Sequence, residues 1–238
     1  MKLDILAFGA HPDDVELGCG ALLAKEIQNG KKIGIIDLTR GELGTRGTPE
    51  IRKQEALNAS KTLGAAFRKN LKFNDGFLVK SRKNLLKIIT NIREYQPDLI
   101  LCNPIRDRHP DHQKGNDLVV EACFLSGLRK IKTFKKKKQQ APWRPSAVYH
   151  YIQWLPITPD VIVDVSGFEK QKIEAVKCYK SQFYDSNSKE PKTPISSVNF
   201  LDSVSYRGRD LGRIIGVDYA EGFTASKIIG VDSLFYLK

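Results

Sequence analysis

Along its first hundred residues the chain alternates short apolar, strand-like runs with segments of helical period, and this alternation confines it to a sheet joined by crossover helices. Leu3 to Gly9 reads as a first strand, Val15 to Asn29 as a helix ending at Gly30, and Lys32 to Leu38 as a second strand. After a loop rich in glycine (Gly41, Gly44, Gly47), the spacing predicts a helix over Ile51 to Leu63 capped by Gly64, then a strand near Leu71 to Phe73. Arg82 to Tyr95 is a further helix stopped by Pro97, and Leu99-Ile100-Leu101-Cys102 is the fully apolar run of a buried parallel strand. Helical period returns from Gln113 to Leu125. Ala147 to Ile152 and Val161 to Asp164 read as strands, Phe168 to Tyr179 as a helix, and the polar stretch Asp185 to Pro194 as a loop beside a site. With no internal repeat and no second domain, the expectation is one α/β domain over residues 1–238: a Rossmann-like, mainly parallel sheet with helices on both faces.

Composition narrows the setting. A chain of 238 residues buries about three quarters of its unfolded surface and needs no staples. The four cysteines, Cys19, Cys102, Cys123 and Cys178, lack CxxC spacing and read as reduced thiols in the cytoplasm. No apolar run is long enough to span a bilayer, and Asp4 interrupts the apolar segment that a secretory leader would need, so neither is expected. A formal charge of +12 raises the prospect of an anionic partner: nucleic acid, a membrane surface or an acidic small molecule. Seven of the ten residues from Arg129 to Lys138 are basic, however, which concentrates the surplus in what reads as one solvated loop and argues against the first two.

Two loops carry the chemistry. Gly9-Ala10-His11-Pro12-Asp13-Asp14 follows the first strand, and Asp107-Arg108-His109-Pro110-Asp111-His112 follows the fourth; together they hold three of the four histidines. In a doubly wound sheet these strands are neighbours, and ligands bind in the crevice outside their carboxyl ends. So many imidazoles and carboxylates in one cleft repel one another unless a cation compensates, and a divalent metal is the simplest one. Zinc accepts two histidines and one carboxylate plus a water, a set that His11, Asp14 and His112 can supply, although other permutations satisfy the same count. A carboxylate beside such a water suits a general base, and an imidazole opposite suits an oxyanion donor or an acid for a leaving amine, which describes hydrolysis of an amide or ester. Turn chemistry explains either loop alone but not both at adjacent strand ends. A dinucleotide site fails because Asp13 and Asp14 stand where a pyrophosphate would need free amides, and GxGxxG is missing.

Ala10-His11-Pro12-Asp13-Asp14 together with His109-Pro110-Asp111-His112 resembles the PIG-L/LmbE-like family of zinc-dependent sugar N-deacetylases. Thr39 to Gly47, Arg52 to Ala56 and Tyr219-Ala220-Glu221-Gly222-Phe223 resemble the branch that deacetylates N-acetylglucosaminyl malate in bacillithiol biosynthesis. The resemblance implies His11, Asp14 and His112 as ligands of one zinc per chain, Asp13 as base, and His109, oriented by Asp111, as oxyanion donor or acid. Iron(II) fits the same donor set. It also implies a substrate arginine, carried over to Arg52, with Arg46 and Arg108 flanking the cleft as weaker candidates. The expected partner is a small amino-sugar conjugate, with neither nucleic acid nor membrane, and a homo-oligomer, commonly a hexamer in this branch. Rivals are a deacetylase for a chito-oligosaccharide or glycolipid head group, and a basic nucleic-acid-binding protein whose histidine loops hold a structural metal. His150 reads as a hydrogen-bonded structural residue, and Tyr206 and Tyr219 as packing residues.

Overall fold

A computed structural model describes residues 1–236 of the chain. In chain order the elements are β1 (Ile5–Gly9), α1 (Asp14–Gln28), β2 (Ile33–Thr39), α2 (Pro49–Leu63), β3 (Phe67–Phe73), α3 (Arg82–Tyr95), β4 (Leu99–Cys102) and α4 (Pro110–Ser126). There follow β5 (Phe134–Lys135), β6 (Lys138–Gln139), β7 (Ala147–Tyr151), β8 (Val161–Asp164), α5 (Glu169–Lys177), α6 (Val198–Ile215) and β9 (Ala220–Ala225), with a short 3-10 turn at Leu234–Tyr236. Seven strands form one sheet in the order β3-β2-β1-β4-β7-β9-β8. The first five of these run parallel, and β9 runs antiparallel to β7 and β8.

Burial explains the centre of the sheet. β1 and β2 are buried along their whole lengths, as continuous apolar runs must be when helices cover both faces. Ile5 lies opposite both Ile33 and Leu99, so β1 and β4 are neighbours and the two histidine loops leave the same edge side by side. Helices α1, α2 and α5 cover one face, with Val15, Leu23, Leu63 and Val176 in its core; α3 and α4 cover the other, with Ile88, Ile92, Leu118 and Val119. Local signals start and stop them: Thr48 accepts a hydrogen bond from Ile51 N ahead of Pro49, and Gly64 closes α2 at φ 85°.

α1 is interrupted at Cys19 (φ −144°), which leaves backbone donors of its second half without helical acceptors. Glu221 on β9 fills the gap: its carboxylate accepts from Ala21 N at 3.1 Å and from Leu22 N at 2.7 Å, and Lys172 Nζ lies 2.6 Å from it. A buried ion pair from α5 and β9 thus caps the middle of α1.

Several boundaries differ from the sequence expectation. β3 starts at Phe67 rather than Leu71, because its charged first half, Arg68-Lys69-Asn70, hides a strand at the sheet edge. The basic stretch 129–138 is not a free loop. Its end forms the hairpin β5–β6, with Lys136 and Lys137 both at positive φ in the two-residue turn. Arg93 pins the chain leading into it by donating to the carbonyls of Ser126, Leu128 and Ile131 and to Thr133 Oγ1. α6 and β9 were not anticipated. Tyr219 packs as expected, its hydroxyl donating to Val204 O, but Tyr206 is 59% exposed on α6 and packs against no core. Among the described residues no helix is long and apolar enough to cross a membrane, and the four cysteines are free.

Removing one member of the pair under α1 strands the other. Glu221→Ala is expected to lower unfolding free energy by about 3–5 kcal/mol, with part of the loss recovered on adding Lys172→Met. Urea unfolding followed by circular dichroism measures both; a Glu221→Ala midpoint equal to that of the wild type would show that the carboxylate is not a cap.

Candidate active site

The carboxyl ends of β1 and β4 bring three imidazoles together, with ring centroids 4.5 Å apart for His11–His109, 5.4 Å for His11–His112 and 5.2 Å for His109–His112. Asp14 touches two of them: Oδ2 is 3.5 Å from His11 Nδ1, and Oδ1 is 3.2 Å from His112 Nε2. Asp75, from the loop after β3, places Oδ1 at 3.0 Å from His11 Nε2, and Asp111 Oδ2 is 3.7 Å from the same nitrogen. The three expected ligands therefore meet. The tightest donor sets, each within 4.8 Å, are nevertheless His11–His109–His112 and His11–Asp75–Asp111.

These residues fit a divalent cation. His11 Nε2 is buried without a hydrogen-bond partner within this cluster of imidazoles and carboxylates, an arrangement that a cation bound in the cluster would satisfy. The donors are imidazole nitrogens and carboxylate oxygens, the mixture suited to zinc or iron(II). Supporting contacts fix them. His112 Nδ1 lies 2.6 Å from Asp107 Oδ2, which turns Nε2 toward the cluster. Asp14 receives His11 N at 2.9 Å, Asn103 Nδ2 at 2.9 Å and Gln153 Nε2 at 2.6 Å. Burial opposes the charge of Asp14, but His112 and His11 outweigh it and hold its carboxyl well below the usual range. Burial likewise opposes protonation of His112, yet Asp14 and Asp107 raise it to about 9.

Asp13 occupies a different environment. It sits at φ 115°, in the left-handed region where a residue with a Cβ costs about 1–3 kcal/mol, and makes no capping bond to α1. Its carboxylate instead reaches Arg52, whose Nη2 donates to Asp13 Oδ2 at 2.8 Å and to the Pro12 carbonyl. Burial, opposed by Arg52 and reinforced by Asp14, pushes Asp13 up to about 7. Gly41 makes room for this clamp: a Cβ there would lie 2.2 Å from Arg52 Nη1, at a φ of 63° that disfavours side chains. Arg52 lines the cleft; its Nη2 is engaged by Asp13 and the Pro12 carbonyl, while its Nε is buried without a hydrogen-bond partner.

His109 is the N-cap of α4, and its Nδ1 accepts from Asp111 N at 3.2 Å. A neutral ring must then carry its proton on Nε2. Burial, with repulsion from His11 and His112, lowers it to about 4. Asp111 contacts His109 through its backbone amide, while its carboxylate accepts from Gly76 N at 2.6 Å and faces His11.

The cleft above has a volume of about 320 Å³, enough for a sugar, and is walled by Arg46, Arg108, Trp154, Gln182, Phe200 and Arg207. Arg46 donates to Ser188 Oγ, so the loop 185–194 does adjoin the site, and Thr193 and Pro194 line the cleft. Arg108 lies over Trp154, 4.3 Å from the ring centroid. Asp75, Gln153, Trp154 and Arg207 were missed. Asp107 was visible as the first residue of the Asp107–His112 loop, but no spacing pointed to the others. His150 is structural, as read: Nδ1 contacts Asn116 Nδ2 at 2.5 Å, Nε2 lies 2.8 Å from Ser226 Oγ, and Asn116 passes the support to the Asn103 carbonyl at 2.7 Å.

The family model described as PIG-L: GlcNAc-PI de-N-acetylase matches residues 6–123, a span holding both histidine loops. The crystal structure of the conserved protein TT1542 from Thermus thermophilus superposes with a TM-score of 0.85 at 37% identity, covering 97% of this chain and 98% of that one. The uncharacterized deacetylase YaiS of Escherichia coli is 36% identical over 125 residues, 50% of this chain and 67% of YaiS. Diacetylchitobiose deacetylase from Thermococcus kodakarensis is 28% identical over 189 residues, 75% of this chain and 70% of that enzyme. A shared fold at near-full length, a family match over both motif loops and the donor cluster where those loops meet lead to one assignment: the chain belongs to the PIG-L family and is a metal-dependent amidohydrolase.

Proposed function

We propose that the protein removes the N-acetyl group of an N-acetylglucosamine conjugate, and that the conjugate is N-acetylglucosaminyl malate. The observation that carries the deacetylase reading is the pairing of an Asp13 carboxyl lifted to about 7 with a His109 ring whose Nε2–H is free to donate, beside the Asp14 carboxylate that lies 3.5 Å from His11 Nδ1 and 3.2 Å from His112 Nε2. Those last three residues hold the metal in this reading, one zinc per chain or iron(II). The ion supplies Lewis acidity toward the acetamide carbonyl and makes a nearby water more acidic.

The chain's own residues divide the remaining work. Asp13, poised near neutrality, takes a proton from the water that attacks the acetyl carbon. Arg52 keeps that carboxylate in place and its charge in check. His109 Nε2–H donates to the carbonyl oxygen as negative charge develops on it; with its pKa near 4 the ring acts as a neutral donor rather than as an acid. The proton held by Asp13 passes to the departing nitrogen when the C–N bond breaks, leaving acetate and the free amine. A chito-oligosaccharide substrate is the second reading, favoured by the 28% identity to a diacetylchitobiose deacetylase. Assembly into a homo-oligomer is part of the same proposal and is read by analytical ultracentrifugation.

Asp13→Asn is expected to retain metal while turnover falls about a hundred- to ten-thousand-fold. His112→Ala should emerge from gel filtration without metal, as measured by inductively coupled plasma mass spectrometry. Wild-type turnover in Asp13→Asn removes the base assignment.

Primary-amine release compares N-acetylglucosaminyl malate, diacetylchitobiose and free N-acetylglucosamine on zinc-reconstituted protein. The malate conjugate is expected to give the highest kcat/KM. Preference for diacetylchitobiose would transfer the assignment to the second reading.

A further inference from the structure

The cleft contains four arginines, but only Arg52 has a carboxylate partner. Arg46 is held by the Ser188 hydroxyl and Arg108 by the face of Trp154. Arg207, contributed by α6, lines the cleft with a guanidinium that makes no hydrogen bond or ion pair to any described residue.

The nearest negative group does not serve it. Asp107 is committed elsewhere: its Oδ1 accepts from Leu155 N at 2.9 Å, and its Oδ2 faces His112 Nδ1 at 2.6 Å and Trp154 N at 3.4 Å. Partial burial opposes the charge of Arg207 and lowers its pKa, with Asp107 offsetting this only in part. Five donors in a planar fork suit a carboxylate or phosphate bidentately. The cleft carries both signs of charge. Asp13, Asp14 and Asp75 line it together with Arg108 and Arg207, neither of which has an ion-pair partner among the described residues.

We propose that Arg207 is the specificity-determining residue of an anion subsite, completed by Arg108, that binds a carboxylate or phosphate on the aglycone while the acetamide lies beside Asp13 and His109. The proposal rests on the deacetylase reading and adds to it the residue that selects charged conjugates over neutral ones.

The test measures wild type, Arg207→Ala and Arg207→Lys on three compounds: N-acetylglucosaminyl malate, N-acetylglucosamine 1-phosphate and the neutral methyl glycoside of N-acetylglucosamine. For Arg207→Ala the ratio of kcat/KM on an anionic substrate to that on the neutral glycoside is expected to fall about 10- to 100-fold, the loss being carried by KM. Arg207→Lys should recover part of it. Of the two anionic compounds, the one with the larger loss identifies the natural anion. Equal losses on charged and neutral substrates overturn the subsite and make Arg207 structural. A wild type that cleaves all three equally well overturns the subsite while leaving the deacetylase reading intact. If the wild type cleaves none, the deacetylase reading has failed, and calorimetry with malate alone decides the subsite: binding lost in Arg207→Ala supports it, and no binding to wild type overturns it.

Discussion

The Asp14 carboxylate is the joint on which the site and much of the surrounding fold depend. It leaves the end of β1 and gathers donors from three places: the His11 amide in its own loop, Asn103 beyond β4 and Gln153 beyond β7. A buried carboxylate this well supplied stays ionised, and each donor draws its strand end toward the same point. Support continues outward, since Asn103 Oδ1 accepts from Ala10 N and its carbonyl accepts from Asn116, which also reaches His150. The histidine loops face each other because strand order makes β1 and β4 neighbours. They are held at bonding distance because one carboxylate ties both to β7.

Asp13 and Asp14 are adjacent in sequence and opposite in character. Asp14 is surrounded by donors and imidazoles, which favour its charge; Asp13 has Arg52 and little else, so burial dominates and its pKa climbs. The backbone makes the separation. A residue at φ 115° turns its side chain away from the helix start that it would otherwise cap, and strain of this sort persists only where neighbours enforce it. Here the enforcement comes from the Arg52 clamp on both Asp13 and the Pro12 carbonyl, which in turn requires the absence of a side chain at Gly41. Two carboxyls one residue apart thereby differ in character, one held charged and one with its pKa raised to about 7.

What the sequence disclosed and what it concealed follow from the same physics. Buried parallel strands and capped helices announce themselves, so β4 (Leu99–Cys102) and α3 (Arg82–Tyr95) coincide with their expected limits. The two histidine loops were legible because their residue types are uncommon and their strands are adjacent. α6 was not legible: Gly208 and Gly212 weaken its helical pattern, and their reason is visible only in three dimensions, since a Cβ at Gly208 would lie 2.1 Å from the Tyr219 ring. β9 was hidden by Glu221, a charge in mid-strand whose purpose is to cap the broken α1. Arg207 was lost with its helix. For Asp111, spacing places a residue near a histidine but does not say whether its amide or its carboxylate makes the contact; here the amide does.

The positive balance of the chain also divides by place. α4 begins at the histidine loop and ends at Ser126, and β7 then starts beside β4 and runs parallel to it; the basic stretch 129–138 between them therefore lies at the amino ends of the strands, across the sheet from the cleft. Five residues of β1 at about 3.3 Å each separate the two ends by roughly 17 Å. That is about two Debye lengths at physiological ionic strength, so the lysines of the hairpin are screened from anything entering the site. An anionic substrate is drawn instead by charges within the cleft. Arg46, Arg108 and Arg207 line it and are close enough for their field to act on a ligand there, and only a minority of the chain's surplus charge is involved.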